Sequence, residues 1–216
     1  MTSTSLEKPF EIHVPDSSIE LLQKKLALTT LPDELPDSGW KYGVPLGDIQ
    51  RLVKRWQDGF DWRKQEAKIN AEMPQFTRDI EIDGHGTLNV HYVHKKSSVA
   101  NAIPLLFVHG CKIFKLVWVD NMSDPQFQGP GSFLEARKLV PLLTSADGDG
   151  PSFHVVAPSL SGYGFSEAPK TQGFNGPQYA EACHKLMLEL GYTEYVTQGG
   201  DWGHLVCTAY KLNLHN

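Results

Sequence analysis

Hydrophobic and polar positions along the chain change period near residue 74. Before that point the apolar residues recur at helical spacing. Ile19, Leu22 and Leu26 share one face of a helix, and Ser17 with Glu20 forms a capping-box pattern at its start. Pro32, Pro36 and Gly43 then predict loop. A second helix follows Pro45, with Ile49, Leu52, Val53 and Trp56 at i, i+3, i+4 and i+7. Charges of both signs continue to about Met73, with Phe60 and Trp62 as expected buried anchors. Residues 1–73 thus read as a small helical domain with no chemistry of its own.

After Pro74 the period becomes two. Phe76–Ile82 and Leu88–His94 alternate around Asp83-Gly84-His85-Gly86, which predicts a hairpin. Pro104–Val108 and Phe153–Pro158 are short continuous apolar runs, as in strands buried on both faces. A helix is predicted over Pro177–Leu190, with Tyr179, Ala180, Cys183, Met187 and Leu190 on one side. Tyr195–Gln198 reads as a strand and His204–Lys211 as a helix. A hairpin followed by alternating strands and helices predicts an α/β fold, mostly parallel with an antiparallel start.

Composition narrows the class. The 216 residues are 40% hydrophobic and 21% charged, enough for a packed core. A net charge of −5 gives no footprint for DNA or RNA. Mean hydropathy is −0.32, and no run approaches a membrane span. The first residues lack a basic and apolar leader pattern, so no signal peptide or anchor is expected. Three cysteines without a CxxC pair make no disulfide framework. A soluble, cytoplasmic protein is the expectation.

The segment that carries chemistry is Gly199-Gly200-Asp201-Trp202-Gly203, between a strand and a helix. It has the small-x-nucleophile-x-small form of a nucleophile elbow, with Asp in the central place. Such a turn strains the central residue and projects its side chain above the sheet. Gly199 and Gly203 would let the two arms approach. The Trp202 N–H would face a developing oxyanion at a helix N-terminus. A carboxylate there can attack carbon and form an alkyl ester. The bland alternative is a glycine-rich turn with Asp201 capping the next helix. Two further loops follow strand ends in order: His109-Gly110, and the glycine-rich run Pro158–Ser166.

With these residues assembled, the chain resembles the microsomal-type epoxide hydrolases, including soluble fungal relatives, of the α/β-hydrolase superfamily. The likeness runs through Pro9-Phe10, Val14-Pro15-Asp16, Trp40–Gly43, Trp56 and Phe60–Arg63. It continues through Ile82–Gly84, Val90–His94 and the elbow itself. The resemblance implies that Asp201 opens an epoxide and forms a hydroxyalkyl ester. Trp202 and the His-Gly loop would hold the oxyanion. Two cap tyrosines would assist opening, and a carboxylate-oriented His would activate water to release a diol. It implies epoxide metabolism and detoxification, no metal and no cofactor, with a small epoxide and water as reactants. Nothing in the sequence speaks to oligomeric state.

Two departures stand out. The family loop reads His-Gly-Trp-Pro-Gly-Ser, whereas here Cys111–Gly129 separates His109-Gly110 from Pro130-Gly131-Ser132. Those nineteen residues replace one Trp, so Cys111 stands at the doubtful position of the oxyanion-loop donor. The codons permit an unspliced intron. Cys111-Lys112 as TGT-AAG holds a GTAAG donor, Gln128-Gly129 as CAA-GGG holds an AG acceptor, and joining restores TGG. Ser123-Asp124 also permits a branch-like CTGAC. The alternative is a true surface loop. Ile113–Val119 resembles a strand but is assigned none. Residues 74–216 then form an incomplete α/β-hydrolase core interrupted at 111–129.

The second departure is that the family's cap, general-base His and acid lie beyond Asn216. No general base is therefore assigned, and the expectation is that this chain does not turn over. His204, three residues after Asp201, should point away from the attacking face. Haloalkane dehalogenation and a non-catalytic remnant are the competing readings. Other candidates read blandly. His91 and His94 should lie on opposite strand faces and hold no metal. Cys183 and Cys207 should be buried apolar residues. Gly162-Tyr163-Gly164 is no dinucleotide fingerprint, and Asp58, Asp61 and Glu66 should be solvated helix charges.

Overall fold

The computed structural model describes residues 6–110, 131–146 and 150–213. Two compact units are present, residues 12–69 and the remainder of the described chain.

The first unit is helical: α1 (Asp16–Ala27), α2 (Leu46–Asp58) and α3 (Trp62–Glu72, whose last turn passes into the second unit). The Ser17 capping box does not form. Pro15 already supplies the extended entry at the N-cap, so α1 starts at Asp16 and Ser17 falls inside the first turn. The helical period over Ile49–Trp56 holds, but α2 buries no residue, and Trp56 is 53% exposed. Phe60 is exposed and Trp62 only half-buried, so neither is the expected anchor. An amphipathic stripe says which face seeks a partner, not whether one covers it. Glu66 corrects another expectation. It is buried, accepting from the Val14 N–H at 2.7 Å and Trp62 Nε1 at 3.1 Å, and pairing with Arg63 at 2.6 Å. Burial alone would raise its carboxyl. The Val14, Arg63 and Trp62 donors outweigh that and hold it below the ordinary range. Asp58 and Asp61 are exposed, as expected; Asp58 pairs with Lys54, and Asp61 accepts from the Lys64 N–H.

The second unit is built on a six-stranded sheet: β1 (Lys8–Phe10), β2 (Gln75–Ile82), β3 (Gly86–Lys95), β4 (Ile103–Val108), β5 (Phe153–Pro158) and β6 (Val196–Gly199). The order is β1-β2-β3-β5-β4-β6. The hairpin forms as read, with Ile82 opposite Gly86 and positive φ at Gly84 and Gly86. Only glycine meets that turn without strain. The pairings β1–β2, β2–β3 and β3–β5 are antiparallel, and only β4–β5 and β4–β6 are parallel. The described sheet is therefore not mostly parallel. The sequence reading missed β1, a three-residue strand too short to show a period.

Both faces of the sheet are covered. On one face Leu88, Val90, Tyr92, Leu106, Val108 and Val156 pack against Cys183, Leu186 and Met187 of α5 (Gly176–Glu189) and Val206 and Cys207 of α6 (Trp202–Asn213). On the other, a 3-10 turn (Phe133–Ala136) and α4 (Leu139–Thr144) approach β5. Strand β3 is consequently buried on both sides from Val90 to His94, although its sequence alternates. Cys183 and Cys207 are buried, as expected, and burial pushes the Cys183 thiol up to about 12.

Candidate active site

Asp201 sits between β6 and α6 with φ +54°, the left-handed region. Non-glycine residues rarely hold that conformation, and it is a strained one. The strain is imposed by close packing. A β-carbon on Gly199 would stand 2.5 Å from the Gly203 carbonyl. One on Gly203 would overlap the Val108 carbonyl oxygen and stand 2.9 Å from that of His109. The two arms of the turn and the end of β4 thus meet backbone to backbone, as the two glycines predicted.

The Asp201 side chain is exposed, and Gly110 lines it. A β-carbon on Gly110 would lie 3.0 Å from Asp201 Cβ, 3.4 Å from its Oδ2 and 3.2 Å from the Gly200 carbonyl oxygen. The His204 and Leu205 N–H groups return to the Gly200 and Asp201 carbonyls, at 3.0–3.4 Å. The Trp202 N–H, at the first position of α6, has no carbonyl of its own helix to reach. It is placed where a helix N-terminus favours negative charge. The Trp202 ring meets Tyr179 edge-on. His204 is exposed on the first turn of α6. Cys111, and with it Ile113–Val119, lies outside the described residues.

The two ends of the interrupted loop meet in space. A β-carbon on Gly131 would overlap the Gly110 carbonyl oxygen and stand 3.1 Å from its carbonyl carbon. Twenty residues separate these glycines in sequence, so the chain leaves and returns at one point beside Asp201.

The third loop is held from below. His91 Nδ1 lies 2.9 Å from Ser159 Oγ and its Nε2 lies 3.1 Å from Gln75 Oε1. Ser166 Oγ accepts from the His91 N–H and donates to the Ser159 carbonyl at 2.7 Å. Gly164, at φ +55°, brings the loop over Ser159. His94 faces a different set, Glu7 and the Tyr192 hydroxyl. Among the described residues no cluster of three His, Cys, Asp or Glu is placed to hold a metal ion. A surface hollow of about 220 Å³ lies among Pro32, Leu35, Tyr42 and Leu46, wholly within the helical unit.

Burial lowers the His91 imidazole from its ordinary 6.5 to about 4. The native state therefore prefers it neutral. The sign follows: its stability contribution is complete above pH 6.5 and is lost as pH falls toward 4. The full loss is about 3 kcal/mol. Urea denaturation at pH 7 and pH 4.5 should show it, and His91→Asn should flatten that part of the slope. An unchanged slope in the variant would place the acid sensitivity elsewhere.

Comparison with known proteins turns this geometry into a family assignment. Residues 7–112 match the family model described as Epoxide hydrolase N terminus, and 128–213 match that of the alpha/beta hydrolase fold. The chain belongs to the epoxide hydrolase family of the α/β-hydrolase superfamily. "Epoxide hydrolase 1" of Sus scrofa is 37% identical over 209 residues, covering 93% of this chain and 41% of its own. Juvenile hormone epoxide hydrolase from the silkworm Bombyx mori superposes with TM-score 0.76 at 29% identity, over 96% of this chain and 50% of its own. Aspergillus niger epoxide hydrolase gives TM-score 0.72 at 29% identity, over 94% and 48%. The chain thus spans two-fifths to one-half of these epoxide hydrolases, and its sheet is an incomplete α/β-hydrolase sheet. Neither family model takes in residues 113–127. No helix among the described residues is long and apolar enough to cross a membrane.

Proposed function

We propose that this chain carries the nucleophilic half of an epoxide hydrolase. Asp201 attacks an epoxide carbon, the ring C–O bond breaks, and a hydroxyalkyl ester forms on its carboxylate. In the chain tested, the ring oxygen takes its proton from solvent water. The Trp202 N–H stands ready for the oxyanion of the second step. That step needs a general base, and none is assigned here, so the ester should accumulate rather than turn over. The observation that carries the reading is Asp201 at positive φ on a strand-to-helix elbow, its carboxylate open to solvent and lined by Gly110. A small epoxide and water are the reactants. Three scattered cysteines with no CxxC pair favour the reducing cytoplasm.

The test is intact-mass analysis of the purified chain after incubation with styrene oxide. One added styrene oxide, mapped to the Asp201 peptide, supports the reading. Labelling by 1-chlorobutane with halide release, and none by the epoxide, would favour a dehalogenase. No adduct from either would leave a non-catalytic remnant.

The same reading treats 111–129 as a read-through insertion, a view supported by the meeting of Gly110 with Gly131 and by the family models' gap. Two residues are enough to bridge glycines this close. Replacing 111–129 by a single Trp should therefore keep the fold and still form the adduct, the restored donor serving the oxyanion of the second step. It should not yield diol release. A replacement chain that fails to fold would make the segment a true structural loop.

A further inference from the structure

His109 is fully buried at the end of β4, and its two ring nitrogens have opposite kinds of partner. Nε2 lies 3.2 Å from the Leu160 N–H, which can only donate, so Nε2 accepts and carries no proton. Nδ1 lies 3.0 Å from the Gly110 carbonyl oxygen, which can only accept, so Nδ1 carries the proton. Free neutral histidine favours the other tautomer, so the fold imposes this one. Protonating Nε2 would set two donors face to face at Leu160. Burial disfavours the cation, against the opposing pull of the Gly110 carbonyl and Glu135.

The consequence reaches the nucleophile. One ring ties the loop after β4 to the loop after β5 and fixes the Gly110 carbonyl. A planar peptide unit has its orientation set by where its carbonyl points. Gly110 is also the backbone that lines the Asp201 carboxylate, with a β-carbon there only 3.4 Å from Oδ2. The groups facing His109 are Glu135 from the 3-10 turn, Tyr163 edge-on from the loop after β5, and Asp201 across Gly110.

We propose that His109 is a positioning residue for Asp201: protonated on Nδ1, it clamps Gly110 to Leu160 and so sets the backbone wall against the nucleophilic carboxylate. This rests on the reading of Asp201 as nucleophile. It adds a role to a histidine that touches no reacting atom.

The test separates the two claims. Long-range ¹H–¹⁵N spectra of histidine-labelled chain read the tautomer in the parent, with His109→Gln assigning the signal. Nδ1–H is expected, the ring staying neutral to lower pH than a free imidazole. Next, the ¹³Cγ resonance of Asp201 at one fixed pH is followed in His109→Gln and His109→Leu. Gln can accept from Leu160 and donate to Gly110, whereas Leu can do neither. The resonance should move in the Leu variant and hold in the Gln variant. Adduct formation with styrene oxide should slow about tenfold in Leu and stay within about threefold in Gln. His109→Phe, which can likewise neither accept nor donate, replaces the Leu variant if the latter fails to fold. An Nε2–H tautomer, or Leu and Gln variants alike in the Asp201 resonance, overturns the positioning role. The expected tautomer and Asp201 resonances, with no adduct in the parent chain, overturn the nucleophile reading alone.

Discussion

Asp201→Asn is expected to take up no styrene oxide under conditions that fully label the parent, a loss of at least about 10³-fold. The reason is chemical rather than steric. An amide oxygen is a poor nucleophile toward carbon, and its adduct could not collapse to a neutral ester. The substitution is close to isosteric, and Asn is among the few residues that accept positive φ. The elbow should therefore persist, which circular dichroism and the melting temperature would verify. Mass spectrometry of the intact chain and its peptides reads the effect directly. An adduct that survives in the variant would place the reactive group on another side chain and end the Asp201 reading.

Gly203→Ala should cost about 3 kcal/mol or more of stability, and with it the elbow. Its β-carbon would overlap the Val108 carbonyl oxygen and stand 2.9 Å from that of His109. Both obstacles are backbone at the end of β4, so no side chain can swing aside. The relief open to the chain is to part β4 from α6, which also draws Gly110 away from Asp201. The matched control is Gly200→Ala. A β-carbon there meets nothing within 4 Å, and the backbone holds no positive φ. That change should fall within about 0.5–1 kcal/mol of the parent. Urea midpoints of the two variants decide the matter. Equal midpoints would show that the arms of the turn have room to separate.

Much of this was legible before the structure. The hairpin with Gly84 and Gly86, strands β4, β5 and β6, helix α5 and the elbow all come from local rules. Period two, apolar runs, glycine at positive φ and a strand-turn-helix motif need no distant partner to be recognised. The readings that failed share one cause. Glu66 looks like any solvated helix charge until Val14 and Trp62 close over it. Ser17 fits a capping box, but Pro15 one step beyond the helix sets a different start. Trp56 has helical spacing and still lies open. His109 reads as half of a His-Gly pair, and nothing local shows that Leu160 will dictate its tautomer.

By itself, then, the sequence determined the kind of elements, the family and the identity of the candidate nucleophile. Those depend on dihedral preference, side-chain period and motif spacing, which are properties of neighbouring residues. The tertiary structure alone decided that three of the five described strand pairings are antiparallel, that Gly110 and Gly131 meet beside Asp201, and that the buried His109 ring joins Gly110 to Leu160. Each of these joins residues far apart along the chain, where packing and hydrogen-bond complementarity select partners that local pattern leaves open.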